Sequence, residues 1–118
     1  MWAKGGLTAV QRINQLADTT LSAIQKERFI TLGLVETEEG VRIIASSEGA
    51  LRPLTLEALQ AGEIAVTGVG HAEIIAYNAA LDLGLTPTGV AASRLICPTC
   101  QSYFRDLPVS LLSPLRLK

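Results

Sequence analysis

Apolar residues return at three- and four-residue intervals over residues 7–26: Val10, Ile13, Ala17, Leu21 and Ile24, with Arg12, Gln15, Asp18 and Gln25 elsewhere. That periodicity predicts an amphipathic helix. Over residues 28–36 the pattern changes to a run rich in apolar and β-branched residues, Phe29, Ile30, Thr31, Leu32, Leu34 and Val35, which predicts a strand. Glu38-Glu39-Gly40 marks a turn, and residues 41–46 resume as a second strand. The two runs are expected to pair as an antiparallel hairpin.

Residues 47–62 are mixed. Thr55 is a candidate cap for a short helix over Leu56, Ala58 and Leu59, stopped by Gly62. Residues 63–67 read as extended, and Gly68-Val69-Gly70 interrupts the chain just before His71. Residues 71–83 are helical in pattern (Ile74, Ile75, Asn78, Ala79, Leu81), with Gly84 at the C-cap. Residues 88–96 read as a buried strand. Residues 97–106 read as a short helix with Pro98 in its first turn and Pro108 beyond its end, and residues 109–112 as a last strand. Strands alternating with helices in this order predict a sheet flanked by helices. No repeat or second-domain boundary is visible, so residues 1–118 are expected to form one domain.

Nearly half of the chain is apolar, enough for a sizeable core, and no apolar run is long enough to span a bilayer. Met1-Trp2-Ala3-Lys4-Gly5-Gly6 does not read as a signal peptide, because no apolar stretch follows it, and Trp2 reads as a terminal feature. A net charge of −1 argues against tight non-specific binding of duplex nucleic acid by a broad basic surface. The charge is uneven, however. Acids gather in the middle (Glu36, Glu38, Glu39, Glu48, Glu57, Glu63). After Asp82 only Asp106 faces Arg94, Arg105, Arg116 and Lys118. That end of the chain is either a solvated surface or a place to meet a phosphate.

The chain has one histidine and two cysteines, and all three fall into one pattern: His71-Ala72-Glu73, then Cys97-Pro98-Thr99-Cys100. Two cysteines three apart read as a metal or redox pair rather than a disulfide framework. Cys-x-x-Cys across a helix start lets both sulfurs reach one ion, and the positive helix end favours thiolates. Zinc prefers tetrahedral sulfur and nitrogen ligands, and a structural site closes all four positions. One imidazole and two thiolates cannot close it within one copy of the chain, so the remaining position falls to water, a carboxylate or a partner's residue; water is the simplest choice, and zinc brings its pKa towards neutrality. Glu73 follows His71 closely enough to sit beside the metal and carry protons. The rival is a thioredoxin-like redox pair, which leaves His71 and Glu73 without a role.

Other residues are weaker candidates. Gly68 and Gly70 would let backbone approach a planar base. Tyr103 and Phe104 could stack on a base, and core or wall packing is the favoured reading of both. Ser46, Ser47 and Glu48 either line a pocket mouth or form a loop past the sheet edge. Gly70, Ala72, Ser46, Ser93 and Tyr103 are the candidate substrate contacts, and Asn78 is expected to bond within a helix pair, without a catalytic part.

Gly70-His71-Ala72-Glu73 and Ala91-Ala92-Ser93-Arg94-Leu95-Ile96-Cys97-Pro98-Thr99-Cys100 together resemble the deaminase domains of bacterial polymorphic toxins, in the cytidine deaminase-like superfamily. The resemblance covers residues 28–106. It implies a three-layer α/β/α sandwich with a mixed central sheet. It also implies zinc held by His71, Cys97 and Cys100, with Glu73 as proton shuttle. The activity implied is hydrolytic conversion of cytosine to uracil in nucleic acid, single-stranded DNA foremost. RNA, a free nucleoside or nucleotide, and adenine as the base are the alternatives, and a non-enzymatic zinc module is a third class. Such domains sit at the C-termini of larger proteins delivered by bacterial secretion systems. They act in the target-cell cytoplasm and are blocked by a cognate immunity protein, with no part for a membrane. One departure is Ile96, where many members have proline, which bears on the shape of the base pocket.

Overall fold

In the computed structural model, which describes residues 6–117, the first helix starts where the sequence can cap it. Helix α1 (Ala9–Thr20) is opened by a reciprocal capping box: the Gln11 amide donates to Thr8 Oγ1 at 3.2 Å and the Thr8 amide to Gln11 Oε1 at 3.0 Å. The predicted helix over residues 7–26 is two pieces. Leu21 is extended (φ −117°, ψ 149°) and turns into the core. Thr19 and Thr20 bond back to the Gln15 and Leu16 carbonyls, and Ser22 exchanges bonds with Gln25 to start a new turn. That turn is π-helical (Gln25–Phe29), so the strand expected from residue 28 begins only at Leu32. Of the terminal segment read against a signal peptide, Met1 to Gly5 (Trp2 among them) lie outside the described residues, as does Lys118.

Five strands form one mixed sheet: β1 (Leu32–Thr37), β2 (Arg42–Ser46), β3 (Glu63–Ala65), β4 (Pro87–Ala92) and β5 (Ser110–Leu111), in the spatial order β3-β2-β1-β4-β5. The predicted hairpin is β1–β2, in register from Leu32 opposite Ser46 to Glu36 opposite Arg42. Gly40, at φ 84°, makes its turn. β1 is also antiparallel to β4, whereas β2·β3 and β4·β5 are parallel. The strand predicted over residues 88–96 leaves the sheet after Ala92. Ile96 instead makes an isolated parallel bridge to Leu115.

Side-chain alternation along the strands builds two cores. On one face Leu32, Leu34, Ile44 and Ala91 pack under Ile13, Leu16 and Ala17 of α1. On the other, Val35, Ile43, Ala45, Val90 and Ala92 pack against Ile75, Ala76 and Ala80 of α3 (Ala72–Asp82) and Cys100 and Phe104 of α4 (Pro98–Phe104). The result is the three-layer α/β/α sandwich. Each fully buried Leu or Ile contributes about 1.5–3 kcal/mol relative to exposure.

The short helix α2 (Pro53–Glu57) is entered from Arg52 with Pro53 in the first turn, so Thr55 is not its cap. Thr55 is fully buried, its hydroxyl 2.8 Å from that of Thr20. Arg12 of α1 grips Glu63 of β3 through two bonds of 2.7 and 2.8 Å and also donates to the Ala58 carbonyl. Both side chains are 5% exposed, so this ion pair ties the outer helix to the sheet edge out of water's reach.

Candidate metal centre

Both motifs lie at helix N-termini on the same side of the sheet. His71 is the N-cap of α3, and its carbonyl accepts from the Ile75 amide at 2.9 Å. Cys97 is the N-cap of α4, its carbonyl accepting from the Gln101 amide at 3.0 Å. Gly70, at φ 115°, swings the chain into His71. A β-carbon on Gly33 of β1 would lie 2.8 Å from the Ala72 carbonyl carbon and the Glu73 amide nitrogen. The bare strand therefore lets the start of α3 sit directly on the sheet.

One donor atom each from His71, Cys97 and Cys100 lies within 4.8 Å of the other two. His71 Nδ1 is 3.6 Å from Cys97 Sγ. Burial increases from the exposed His71 through Cys97 to the fully buried Cys100. Glu73 is 3% exposed and makes no ion pair among the described residues. Burial pushes the Cys100 thiol well above the ordinary range, and the neighbouring Glu73 charge and the hydrogen bonds the thiol donates to Cys97 and Glu73 push it further. Two sulfurs and a carboxylate lie close together, and no side-chain cation forms an ion pair with Glu73 among the described residues. A metal ion held by His71, Cys97 and Cys100 would supply positive charge there and favour the thiolate forms. A redox pair would leave His71 and Glu73, which stand beside the two sulfurs, without a role.

The centre opens into a cavity of about 480 Å³. His71, Ala72, Glu73 and Cys97 line its floor; Thr31, Ser47, Arg94, Leu95, Thr99 and Arg116 complete the wall. Of the predicted substrate contacts only Ala72 lines it. Ser46 is 1% exposed and accepts from the Glu48 amide at 3.2 Å. Ser93 accepts from the Leu32 amide at 2.9 Å. Their next neighbours, Ser47 and Arg94, border the cavity, Ser47 as one of the three residues read as a possible pocket mouth. Gly70 shapes the backbone without bordering the cavity. Tyr103 donates to Asn78 Oδ1 at 3.3 Å and packs edge-on against Tyr77 and Phe104, so it belongs to the α3–α4 wall. Asn78 thus bonds within the helix pair, as expected. Gly68 makes room for Ile75, whose Cγ2 would lie 2.9 Å from an added β-carbon, and does not border the cavity.

Ile96 serves a purpose that proline could not. It is fully buried, its amide donates to the Pro114 carbonyl at 2.9 Å, and its carbonyl accepts from the Arg116 amide at 2.9 Å. This pairing carries the C-terminal segment, and with it Arg116, to the cavity. No local pattern in the sequence signals it.

No family model, no curated protein and no solved structure matches this chain. No described helix is long and apolar enough to cross a membrane.

Proposed function

We propose that the protein is a zinc-dependent deaminase that hydrolyses cytosine to uracil in nucleic acid, with single-stranded DNA its foremost substrate. The observation that carries this reading is the convergence of exactly one nitrogen and two sulfur donors beside a buried, unpaired carboxylate. Zinc bonds of about 2.3 Å to sulfur and about 2.05 Å to nitrogen, at the tetrahedral angle, set sulfur and nitrogen about 3.6 Å apart. His71 Nδ1 and Cys97 Sγ stand at 3.6 Å. Three protein ligands leave the fourth position open, the pattern of a catalytic rather than a structural site.

Zinc, when bound, supplies a Lewis acid that makes a water nucleophilic near neutral pH. Glu73 is placed to take a proton from the attacking water and deliver it to the ring nitrogen of the base. It then carries the second proton to the departing amine, so that cytosine and water become uracil and ammonia. Ala72 leaves the floor of the cavity open beside it. An unpaired strand is favoured because a base reaches the floor without the cost of leaving a stack. The resemblance of the two motifs to toxin deaminases supports a wider reading. In it the domain is the C-terminal tip of a larger protein, delivered by a bacterial secretion system, active in the target-cell cytoplasm and held in check by a cognate immunity protein.

The test is deamination by zinc-loaded protein on matched single- and double-stranded DNA, single-stranded RNA, and free cytidine. Uracil in single-stranded DNA, abolished by Glu73→Ala with zinc retained, is the expected result. Turnover of free cytidine alone would move the activity to nucleotide metabolism, and zinc binding without any turnover would make this a binding module.

A further inference from the structure

We propose that Arg94 and Arg116 form a phosphate seat in the cavity wall, so that the base is taken from a phosphorylated carrier in preference to a free nucleoside. The identity of the base rests on the deaminase reading; the seat does not. Both arginines line the same cavity as His71, Glu73 and Cys97. Elsewhere Arg12, Arg42 and Arg52 each pair with a carboxylate. Arg94 and Arg116 have no such partner among the described residues. Arg94 makes only a 3.5 Å contact to the Arg28 carbonyl. Among the described residues the sole carboxylate bordering the cavity is that of Glu73, beside the candidate metal donors. Arg28 and Arg105 are also without a carboxylate, but neither borders the cavity, and Arg105 leans on Ser102 Oγ at 3.4 Å.

The chain spends specific bonds on placing Arg116. Ser113, 4% exposed, clasps Ala92 through its hydroxyl, which accepts from the amide at 2.8 Å and donates to the carbonyl at 3.1 Å. Ile96 then pairs with Pro114 and Arg116. Gln101 Nε2 donates to the Ile96 carbonyl at 2.8 Å and the Arg116 carbonyl at 2.9 Å, locking the segment to α4. Arg94 comes from the other side, one residue past Ser93, whose hydroxyl is bonded to β1. Two planar, permanently charged forks carried to one wall by anchored backbone suit the tetrahedral oxygens of a phosphate. With a net charge of −1 on the whole chain, they act as a local seat and not as part of a broad basic face. The phosphate can be that of a mononucleotide or a phosphodiester of a strand.

The test measures binding as well as turnover. Anisotropy of a fluorescein-labelled, cytosine-containing single-stranded oligodeoxynucleotide is titrated with zinc-loaded protein across a salt series, with deoxycytidine monophosphate as competitor. The double variant Arg94→Gln/Arg116→Gln is expected to bind at least tenfold more weakly and to lower the salt slope by about 0.7, the single-strand value for one neutralised phosphate. Its kcat/KM ratio for phosphorylated over free deoxycytidine should fall by a similar factor. Lysine at both positions should keep the salt slope while losing part of the affinity, because charge survives and the fork does not. Competition by the mononucleotide would identify a terminal phosphate; binding of the strand alone would identify a phosphodiester. Equal affinity and salt slope in wild type and double variant overturn the seat, whatever is deaminated. Arginine-dependent binding without any deamination overturns the deaminase reading and leaves the seat standing.

Discussion

Replacing Gly33 by alanine separates two physical effects of opposite sign. Gly33 lies inside β1 with ordinary strand geometry, so chain entropy alone predicts that alanine stabilises the fold by roughly 0.5–1 kcal/mol. The tertiary contact predicts the reverse. The new β-carbon would sit 2.8 Å from two backbone atoms of the Ala72–Glu73 peptide and 3.0 Å from the Ala72 oxygen. None of these is the end of a flexible side chain. Relief to an ordinary contact of about 3.4 Å needs the start of α3 to retreat by about 0.6 Å, and such overpacking costs about 1–3 kcal/mol. Contact outweighs propensity, for a net loss of about 1 kcal/mol and a melting point lower by roughly 4–8 °C. The same retreat carries His71 away from Cys97 and Cys100, and metal geometry tolerates only about 0.2 Å. The variant should therefore bind zinc at least tenfold more weakly in competition with a chromogenic chelator. Melting should be followed with and without metal. A Gly33→Ala protein as stable as wild type with unchanged zinc affinity would refute the reasoning that the bare strand sets the position of α3.

Glu73→Gln should keep zinc stoichiometrically and slow deamination by about 10²–10⁴-fold, read by metal analysis beside the uracil assay; loss of metal would make Glu73 a structural residue. Stripping zinc with a chelator from zinc-loaded protein should lower the melting temperature, since the ion would join donor atoms from two helix starts. Arg12→Met should cost about 3–5 kcal/mol at neutral pH by leaving Glu63 buried and unpaired, and Arg12→Met/Glu63→Met should recover most of it in denaturant titrations. Burial alone would raise the Glu63 pKa, but bonds from Arg12 and the Gln60 amide outweigh it and hold it below the ordinary carboxylate range. Its contribution is thus fully present above that range and is lost as pH falls through the lowered value, so wild type should lose stability in acid more steeply than the double variant. Ile96→Pro removes the amide that holds Pro114 and should raise protease sensitivity of the C-terminal segment before any change in the core.

Much of the centre was legible because its signals are local. His71 and Glu73 are two residues apart, and Cys97 and Cys100 three apart; glycines before one pair and a proline inside the other mark helix starts. Local turn chemistry at Glu38-Glu39-Gly40 likewise foretold the β1–β2 hairpin, and the 3.6-residue period foretold most of α1 and α3. The errors lie where a local pattern had two readings. The apolar period continues past Leu21, but Ser22 offers a competing cap. The extended run over residues 88–96 hides the point where Ser93 turns to β1 and Arg94 to the cavity.

What local pattern cannot carry is who meets whom across the fold. The parallel pairing of β3 with β2, the bond of Arg12 to Glu63, the seating of α3 on Gly33 and the arrival of Arg116 beside the metal donors all join residues 19 to 51 or more positions apart, from Ile96–Leu115 to Arg12–Glu63. Each is selected by which arrangement satisfies buried backbone groups and fills the two cores at once. The residue types of the candidate metal centre are written in the chain; the shape and charge of the cavity beside them arise only when distant segments close around it.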